Sequence, residues 1–528
     1  MNNEITKRRK RTIEMTQGSL WKNMFFFSVP LIFSQILEVM FNLSDVAVVG
    51  HFADYKALGS VGSTTTLVTL FTGLLIGLGS GVNVQVANKL GAGDKKATKE
   101  TIHSALIICA AAGIFVCLIC LLFAGPMLSM MNTKPELLDQ AVLYMKVFAL
   151  GMPATAVYNF GNGVLSARGD TKRPMYYLAF AGILNVLLNL IFVIVFHMAA
   201  VGVATASAIA QYVSGGLILI HLMRRDDECK VRLRNLRYHN IYGKGVLYLG
   251  VPSGLQNAIF AIANLFVQSG VNSFDAIMVS GNAAAANADN LIYNVMFAFY
   301  VACSSFMSQN WGAGNKERMK KCYLVTLTYS FSAGLLLGGA LFFFGRPFLS
   351  LFATEPAVIA AGMHRIRIMG FSYAFSAFMD CAIASSRGIG KSIAPTFIVI
   401  MGSCVFRIIW IYTVFAYFQQ FHLCICCTSS PGDSQRLQKP YTLKLVSKRC
   451  LHNRFPKEKR GISQISNICK NLLFFLSTIY SALVILLSIL KYQLSCSADS
   501  CIISKSSKLK FHILICKERF FHKWFFDK

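Results

Sequence analysis

Long apolar runs alternate with short polar segments along most of the chain, and these runs predict its helices. Each run is about twenty residues long, enough for an α-helix to cross the ~30 Å hydrocarbon core of a bilayer. Few Asp or Glu residues interrupt the runs. In the first half the predicted helices are 23–44, 58–81, 102–124, 136–160, 176–197 and 200–222. In the second half they are 245–269, 277–302, 323–344, 358–384 and 395–417.

The second half of the chain repeats the first. Gly91-Ala-Gly93 returns as Gly312-Ala-Gly314, 221 positions later and again between two apolar runs. Further pairs at offsets of 219 to 222 are Val29-Pro30 with Val251-Pro252, Thr133-Lys-Pro135 with Thr354-Glu-Pro356, and Arg168-Gly169 with Arg387-Gly388. Internal repeats in an apolar chain are typical of transporters, whose sites lie between the repeats.

An even number of predicted helices separates the repeats, so both halves enter the membrane in the same sense. This parallel arrangement lets two bundles rock about a central cavity. The sequence therefore predicts a short N-terminal arm, two helix bundles, a basic linker and a C-terminal tail. Their bounds are 1–22 for the arm, 23–222 and 245–417 for the bundles, 223–244 for the linker and 418–528 for the tail.

Composition and charge place the chain in a membrane. Hydrophobic residues make up 55% of it and charged residues 14%, whereas soluble domains carry about 25% charged residues. A net charge of +28 could suggest a nucleic-acid partner, but Lys and Arg cluster in alternate loops, which is the positive-inside pattern. We therefore expect an all-α polytopic protein of the plasma membrane, with a cytoplasmic N-terminus and no nucleic-acid partner.

Eight of the 16 cysteines precede Tyr417; they have no paired spacing within the repeats, and five of the eight fall in predicted helices. Small buried apolar residues are the simplest interpretation, and we expect no structural metal site. No nucleophile–base pair or metal set suggests catalysis, so we do not expect an enzyme.

The composition changes after about Tyr417. From Gln419 to Lys528 only two of the 39 Gly remain, whereas eight of the 16 Cys and 18 of the 51 Lys and Arg fall there. The repeat requires a twelfth helix soon after Tyr417, but only 472–490 is apolar enough to span. We consider two explanations, a reading-frame change near codons 418–421 or an insertion before a displaced twelfth helix.

Acidic residues inside the predicted helices are the sharpest functional candidates, because a charge at the bilayer centre costs about 3 kcal/mol. Glu38 and Asp45 lie seven positions apart on the first helix and share a face. Asp289 lies on the eighth helix and Asp380 on the tenth. Such groups can carry H⁺, coordinate Na⁺ with nearby oxygens, or bind a cationic substrate. The alternative is that each caps a helix or completes a buried hydrogen bond.

Polar amides accompany the acids and could line a water-filled cavity. Gln35 and Asn42 share the face of Glu38 and Asp45. The alternative is that such amides only join neighbouring helices, at ~0.6 kcal/mol each. The other amides on or near the predicted helices are Asn159, Asn162, Asn185, Asn189, Gln256, Asn257, Asn264, Asn282, Asn287, Asn290 and Asn294.

Pro30 and Pro252 occupy equivalent sites in the first helix of each half. Proline removes a backbone donor and lets a helix bend. Paired interruptions in two repeats point to moving helices, so both prolines are hinge candidates, and a static kink is equally compatible.

Several segments together resemble the multidrug and toxic compound extrusion (MATE) family of transporters. Pro30-Leu-Ile-Phe-Ser-Gln35 and Asn42-Leu-Ser-Asp45 resemble the opening helix of that family. Its loop signatures are matched by Gly91-Ala-Gly93-Asp94, Arg168-Gly169-Asp170 and Gln309-Asn-Trp-Gly-Ala-Gly314. The resemblance covers about residues 15–417 and not the tail.

The resemblance implies twelve helices in two bundles and export of cationic or amphipathic compounds, by alternating access, in exchange for Na⁺ or H⁺. It places the family's first-helix acid at Asp45 and a tenth-helix acid at Asp380, where Na⁺ could bind. Many relatives have an acid where this chain has Asn189, which leaves the coupling ion open. We expect a monomer with no cofactor other than that ion.

Three alternatives stay open at this point. A flippase for lipid-linked sugars or cell-wall precursors shares the wider architecture, but its site should be basic, and here acids and amides predominate. A membrane-embedded enzyme lacks a visible catalytic set. The product could also be inactive because of its altered tail.

Overall fold

The computed structural model describes residues 12–370 and 372–412. Within those ranges nine helices are long and apolar enough to cross a membrane, or eleven spans if each of two bent helix pairs counts as one. Each of the eleven predicted helices is matched by helical residues, the eleventh only as far as the described residues extend, and the predicted all-α membrane fold is confirmed. Residues 1–11 of the N-terminal arm, the tail 418–528 and the possible span 472–490 lie outside the described residues.

The helices are numbered here in chain order. The first half contains α1 (Leu20–Phe52), α2 (Tyr55–Gly91), α3 (Lys95–Met130), α4 (Pro135–Ala149), α5 (Met152–Ala167), α6 (Lys172–Leu190) and α7 (Ala199–Met223). The second half contains α8 (Asn240–Val271), α9 (Ala276–Gly312), α10 (Lys316–Leu349), α11 (Pro356–Met369), α12 (Ser372–Gly388), α13 (Ile393–Val399) and α14 (Phe406–Trp410). Two π-helical turns, Ile191–Val195 and Ile400–Val405, extend α6 and join α13 to α14.

Most Lys and Arg of the loops lie at one end of the helices, which we call the basic end; the opposite one is the far end. Many helices are longer than predicted because they continue past the apolar run into polar sequence at the basic end. For example, the second predicted helix, 58–81, reaches Gly91, and the eighth, 277–302, reaches Gly312.

The fourth and tenth predicted helices are not continuous, contrary to the prediction. Helices α4 and α5 meet at 43°, and α11 and α12 meet at 49°. The breaks fall at Gly151 and Gly370, which are 219 positions apart and equivalent in the repeat. A side chain at Gly151 would lie 1.9 Å from Oε1 of Gln211. The break therefore lets the backbone approach α7 closely, which hydropathy alone does not reveal.

Helix α1 packs against both halves of the protein. Near the basic end, Met24 and Phe27 join a core built with α9 and α10. The rings of Phe27 and Phe306 pack edge to face there, with their centroids 5.5 Å apart. Towards the far end, the ring of Phe41 fills the space above Gly182 of α6. Helix α1 therefore begins against the second half and ends against the first.

Helix α8 makes the reciprocal crossing. A Cβ added to Gly77 of α2 would lie 2.1 Å from the backbone nitrogen of Gly254, and one added to Gly81 would lie 2.6 Å from that of Gly250. Glycines spaced four apart on both helices thus allow backbone contact, as is typical of membrane helix pairs. Towards the far end, α8 packs instead against the last helices of the second half. Both crossing helices continue through their prolines, Pro30 and Pro252.

The two halves meet at the basic end in a contact that follows the repeat. A Cβ on Gly91 would lie 2.0 Å from the carbonyl oxygen of Gln309, and one on Gly312 would lie 2.1 Å from that of Asn88. These pairs are related by the offset of 221. Each helix of the pair α2 and α9 therefore places a glycine against the backbone of the other.

Hydrogen bonds between the halves reinforce this contact. Ser305 Oγ donates to Asn83 Oδ1 at 2.8 Å, and Ser308 Oγ donates to the carbonyl of Val84 at 2.6 Å. Gln309 Nε2 donates to the carbonyl of Ala167 at 2.6 Å. All of these partners lie in the basic-end part of their helices, so the halves are joined there.

The segment before α1 also spans the two halves. Ile13 donates its backbone N–H to the carbonyl of Gly169 in the first half, at 3.1 Å. Arg318 of α10 donates to the carbonyls of Met15, Gln17 and Gly18 at 2.7–3.0 Å. The side chain of Met15 is 1% exposed, so this segment is packed onto the basic end.

Candidate functional site

Asp45 lies where α1, α6 and α7 meet near the far end. Asn189 Nδ2 donates to its Oδ1 at 2.5 Å, and Ser207 Oγ donates to its Oδ2 at 3.1 Å. Asn185 donates to Ser207 Oγ at 3.1 Å and accepts from Asn189 at 3.3 Å. The structure thus brings together three predicted site residues, Asp45, Asn185 and Asn189, and adds Ser207.

Among the described residues, the side-chain amide of Asn189 forms hydrogen bonds through its nitrogen only. Its side chain is fully buried, and Oδ1 has no hydrogen-bond partner in the part of the chain that the structure describes. A buried acceptor without a partner costs about 1–3 kcal/mol. Because amide nitrogen and oxygen occupy nearly the same volume, a turned amide would direct Oδ1 at Asp45 instead.

Glu38 lies on α1 near Tyr158 of α5, and its side chain is exposed. Tyr293 of α9 is 46% exposed. Each half therefore carries an exposed polar side chain within a spanning helix. Gln35, one turn before Glu38, is half-buried.

Asp289 is an ion-pair partner. Arg365 of α11 donates to Asp289 Oδ2 through Nε at 2.8 Å and Nη2 at 2.6 Å, and its Nη1 donates to Asn282 Oδ1 at 2.5 Å. Both members of the pair are largely buried. The charge of Asp289 is therefore neutralised inside the second half and is not available to a cationic substrate in this conformation.

Asp380 lies on α12 in an environment different from that of Asp45. It is half-buried, and its electrostatic neighbours include Tyr293, Tyr300 and Arg387. Arg387 donates through Nη2 to Oε1 of Gln256 on α8, at 2.8 Å. The structure therefore groups two predicted residues, Asp380 and Gln256, around an arginine that the sequence did not single out.

A second arginine approaches the same face of α8. Arg407 Nη1 donates to Asn264 Oδ1 at 3.0 Å, and its guanidinium lies over the ring of Phe260, 5.6 Å from the centroid. Since Gln256, Phe260 and Asn264 follow a spacing of four, they share one helix face.

Other predicted amides bond within or between helices away from the acids. Asn159 donates to Thr155 and Asn287 donates to Ala283, each within its own helix. Asn257 crosses between the halves and donates to the carbonyl of Gly73 at 3.1 Å. These contacts match the structural alternative considered for the amides.

Two partners were missed in the sequence, for different reasons. Arg365 was visible as an arginine inside a predicted helix, and the need to neutralise it could have indicated Asp289 as its partner. Ser207 carried no signal, because serine is common in packed membrane helices. Its role depends on the contact between α6 and α7.

The cluster at Asp45 has the chemistry for a small hard cation. The carboxylate of Asp45, the hydroxyl of Ser207 and the amides of Asn185 and Asn189 lie together. Hard cations take oxygen ligands of these kinds, and a turned Asn189 amide would add its oxygen to the set. The same carboxylate can instead take a proton. Among the described residues no group of three or more His, Cys, Asp or Glu could hold a metal ion.

Comparisons with known proteins agree with this architecture. The MatE family model matches residues 30–191 and 252–413, the two repeats. The chain belongs to the MatE family. It is therefore a MATE family transporter and a multi-pass membrane protein, as the resemblance implied. The match ends beside the last described residue, and the tail 418–528 has no part in it.

Individual relatives are distant. The chain is 26% identical over 372 residues to "Probable multidrug resistance protein YpnP" of Bacillus subtilis, covering 69% of this chain and 82% of that protein. It is 25% identical over 341 residues to an "FAD transporter" of Shewanella oneidensis, and the match covers 63% of this chain and 74% of that protein. A MOP superfamily transporter of Pyrococcus furiosus superposes with a TM-score of 0.78 at 21% identity. The superposition covers 84% of this chain and 99% of that one.

Proposed function

We propose that this protein exports small cationic or amphipathic compounds across the plasma membrane in exchange for Na⁺ or H⁺. The observation that carries the proposal is the setting of Asp45. Its two oxygens accept from neutral donors, Asn189 and Ser207, and no Lys or Arg among the described residues forms an ion pair with it. Its charge is therefore available to an ion or a cationic substrate.

The relatives support the substrate class. YpnP is named a probable multidrug resistance protein, and its match covers 69% of this chain and 82% of that protein. A transporter of this kind must hold compounds of several shapes, and we expect acids and amides of the spanning helices to line its substrate path. Glu38, whose side chain is exposed, would be a second acid there in addition to Asp45.

Asn189 provides the link between the ion and the substrate. While Asp45 is ionised, Nδ2 of Asn189 donates to it. When the carboxyl binds a proton or Na⁺, the turned amide would offer Oδ1, which then gains a partner. An ion bound at Asp45 cancels the charge that attracts a cationic substrate, so the two compete. This competition is the minimum requirement for antiport.

Alternating access would use the contact at the basic end. The halves are joined there through α2 and α9, and the loops carrying most Lys and Arg lie at this end, which by the positive-inside pattern faces the cytoplasm. We infer that separating this contact opens the site to the cytoplasm. Helices α1 and α8 cross between the halves and must bend, with Pro30 and Pro252 as hinges.

The proposal is tested by dye uptake into inverted vesicles that contain the full chain. Accumulation of ethidium is measured with an imposed Na⁺ gradient, an imposed H⁺ gradient or neither, next to vesicles without the protein. Accumulation driven by one gradient supports antiport and identifies the ion. Equal accumulation with and without gradients refutes it.

The tail needs a separate proposal. We propose that a reading-frame change near codons 418–421 produced residues 418–528, because Gly and Ala almost vanish there while Cys, Lys and Arg accumulate. The gene sequence tests this. A one-base edit that restores an apolar, Gly- and Ala-rich frame supports it, and the absence of such a frame rules it out.

A further inference from the structure

The segment before α1 lies between the two halves at the basic end, and we call its residues 13–18 the latch. In the first half the latch meets the loop 168–171, which joins α5 to α6. The backbone N–H of Ile13 donates to the carbonyl of Gly169 at 3.1 Å. A Cβ on Gly169 would lie 2.2 Å from the Ile13 carbonyl oxygen, so the two backbones are in direct contact.

In the second half the latch is held by a guanidinium. Arg318 of α10 donates through Nε to the carbonyl of Met15 at 3.0 Å. It also donates through Nη2 to the carbonyl of Gln17 at 2.7 Å and through Nη1 to that of Gly18 at 2.8 Å. Asn310 of α9, which is fully buried, donates from Nδ2 to the same Met15 carbonyl at 3.1 Å. Two residues of the second half therefore bind three carbonyls of the latch.

The Met15 side chain strengthens this attachment. It is 1% exposed and belongs to a core cluster that includes Phe306 of α9 and Met319 of α10. Ile13, which is half-buried, packs against the same cluster. Burying an apolar side chain is favourable in proportion to the area removed from water, and this contribution is lost if the latch leaves the second half.

The two attachments are therefore unequal. One hydrogen bond between neutral backbone groups joins the latch to the loop 168–171. A buried methionine and three hydrogen bonds from a charged donor join it to the second half, and bonds from charged donors contribute more than those between neutral groups. If the halves separate at the basic end, the attachment to the loop is the one that breaks.

We propose that the latch holds the basic end closed, and that it leaves the loop 168–171 but stays on the second half when the halves separate. Closure of this end then depends on the latch as well as on the contact between α2 and α9. Arg318 acts as a positioning residue, because its guanidinium fixes the carbonyls of the latch in the arrangement that places Ile13 against Gly169.

The test weakens the attachment to the second half from both sides. Arg318→Gln removes the guanidinium, and Met15→Ser removes the buried side chain. Lys320→Gln is the control, because it removes an exposed charge two positions after Arg318 that pairs only within α10, with Glu317 at 2.9 Å. Amide hydrogen exchange of the purified full chain is followed in 85–95 and 306–316, the contact between the halves. Thermal unfolding shows that each variant is folded.

A second measurement follows the latch itself. Hydrogen peroxide converts an accessible methionine to its sulfoxide, so the rate of oxidation of Met15 reports its release from the core. Trypsin cleaves after Arg11 and Lys22 and yields the peptide 12–22, in which Met15 is the one methionine. Mass spectrometry of this peptide gives the rate.

We expect Arg318→Gln to speed oxidation of Met15 and to speed exchange in 85–95 and 306–316 at least about tenfold, or ~1.4 kcal/mol of opening free energy. Met15→Ser should speed exchange in the same two segments. Lys320→Gln should change neither measurement. If Arg318→Gln exposes Met15 while exchange in the two segments stays slow, the latch does not hold the halves together and the proposal is overturned. Unchanged oxidation of Met15 in Arg318→Gln overturns it as well.

Gly91→Ala tests which half keeps the latch. The added Cβ would lie 2.0 Å from the carbonyl oxygen of Gln309 and forces the halves apart at a place outside the latch. Faster exchange in 306–316 with Met15 oxidised as slowly as in the unaltered chain supports retention on the second half. Faster exchange together with faster oxidation of Met15 overturns it. Neither measurement uses a substrate, so both results leave the export proposal as it stands.

Discussion

Asn189 donates a hydrogen bond of 2.5 Å to Asp45 across 144 positions of the chain and joins α6 to α1. The bond presents an ionised carboxylate with a neutral donor and leaves the other amide atom of Asn189 unsatisfied. The hydrogen bonds of the Asn189 amide are therefore incomplete while Asp45 is ionised. A proton or Na⁺ at Asp45 would favour the turned amide, so ion binding and the local hydrogen bonds are coupled.

Replacing Asp45 should stop coupled transport. Asp45→Asn keeps the size of the side chain but removes the charge, so gradient-driven dye uptake should fall at least about tenfold, a loss of ~1.4 kcal/mol or more. The control is Asp139→Asn, which removes an exposed acid from α4. Uptake in proteoliposomes measures both. Normal uptake in Asp45→Asn would remove Asp45 from the site.

Replacing Asp289 should affect folding more than binding. Asp289→Asn leaves Arg365 buried without its ion-pair partner, which we expect to cost about 3–5 kcal/mol of the free energy of unfolding. The double variant Asp289→Asn with Arg365→Met should recover part of this loss. Thermal unfolding in detergent measures both variants. A stable Asp289→Asn variant that no longer binds cations would instead place Asp289 in the substrate site.

Adding a methyl group at the contact between the halves should open the basic end. Gly91→Ala places a Cβ 2.0 Å from the carbonyl oxygen of Gln309, which is backbone and cannot move as a side chain could. We expect faster amide hydrogen exchange in 85–95 and 306–316. Gly216→Ala is the control, because nothing lies within 4 Å of the added Cβ. Unchanged exchange in Gly91→Ala would contradict the role of this contact.

Acid should weaken the linker at the basic end. Burial opposes ionisation of Asp227, but hydrogen bonds and charge from Arg225 hold its pKa below the ordinary value. A depressed pKa means that the carboxylate contributes stability above its unfolded pKa of about 4 and loses that contribution as pH falls through the folded pKa. Burial raises the pKa of neighbouring Asp170. Acid therefore has the opposite effect on the contribution of Asp170 to stability.

A comparison of variants isolates the contribution of Asp227. At neutral pH, Asp227→Asn should lose about 1–3 kcal/mol of the free energy of unfolding, and the difference from the unaltered chain should shrink as pH falls below about 4. Asp226→Asn, at a side chain that is 66% exposed, should change little. A difference that stays constant with pH would contradict this account.

The sequence predicts the spans well because length and hydropathy decide them. It predicts faces within one helix, as for Gln35, Glu38 and Asp45, which were assigned to one face of α1 from their spacing. It does not say which helix a face meets. Helix α6 brings Asn189 to Asp45, and α11 brings Arg365 to Asp289. Both contacts depend on how the helices pack, and a hydropathy profile does not distinguish one apolar helix from another. The crossing of α1 and α8 is hidden for the same reason.

The breaks at Gly151 and Gly370 show a second limit. Both glycines lie in apolar runs, and glycine is frequent in membrane helices. Only the close approach of another helix distinguishes them. The repeat offset of 219 relates the two positions, so finding one break would have indicated the other.

The central claim is that the ion and the substrate compete for Asp45, and equilibrium binding tests it most directly. Ethidium affinity for the purified full chain is measured by fluorescence anisotropy against pH, and against Na⁺ replaced by K⁺ at constant ionic strength. Competition predicts weaker ethidium binding as one of these ions rises, approaching tenfold per tenfold increase in that ion, and no such dependence in Asp45→Asn. An ion dependence that persists in Asp45→Asn would contradict the claim.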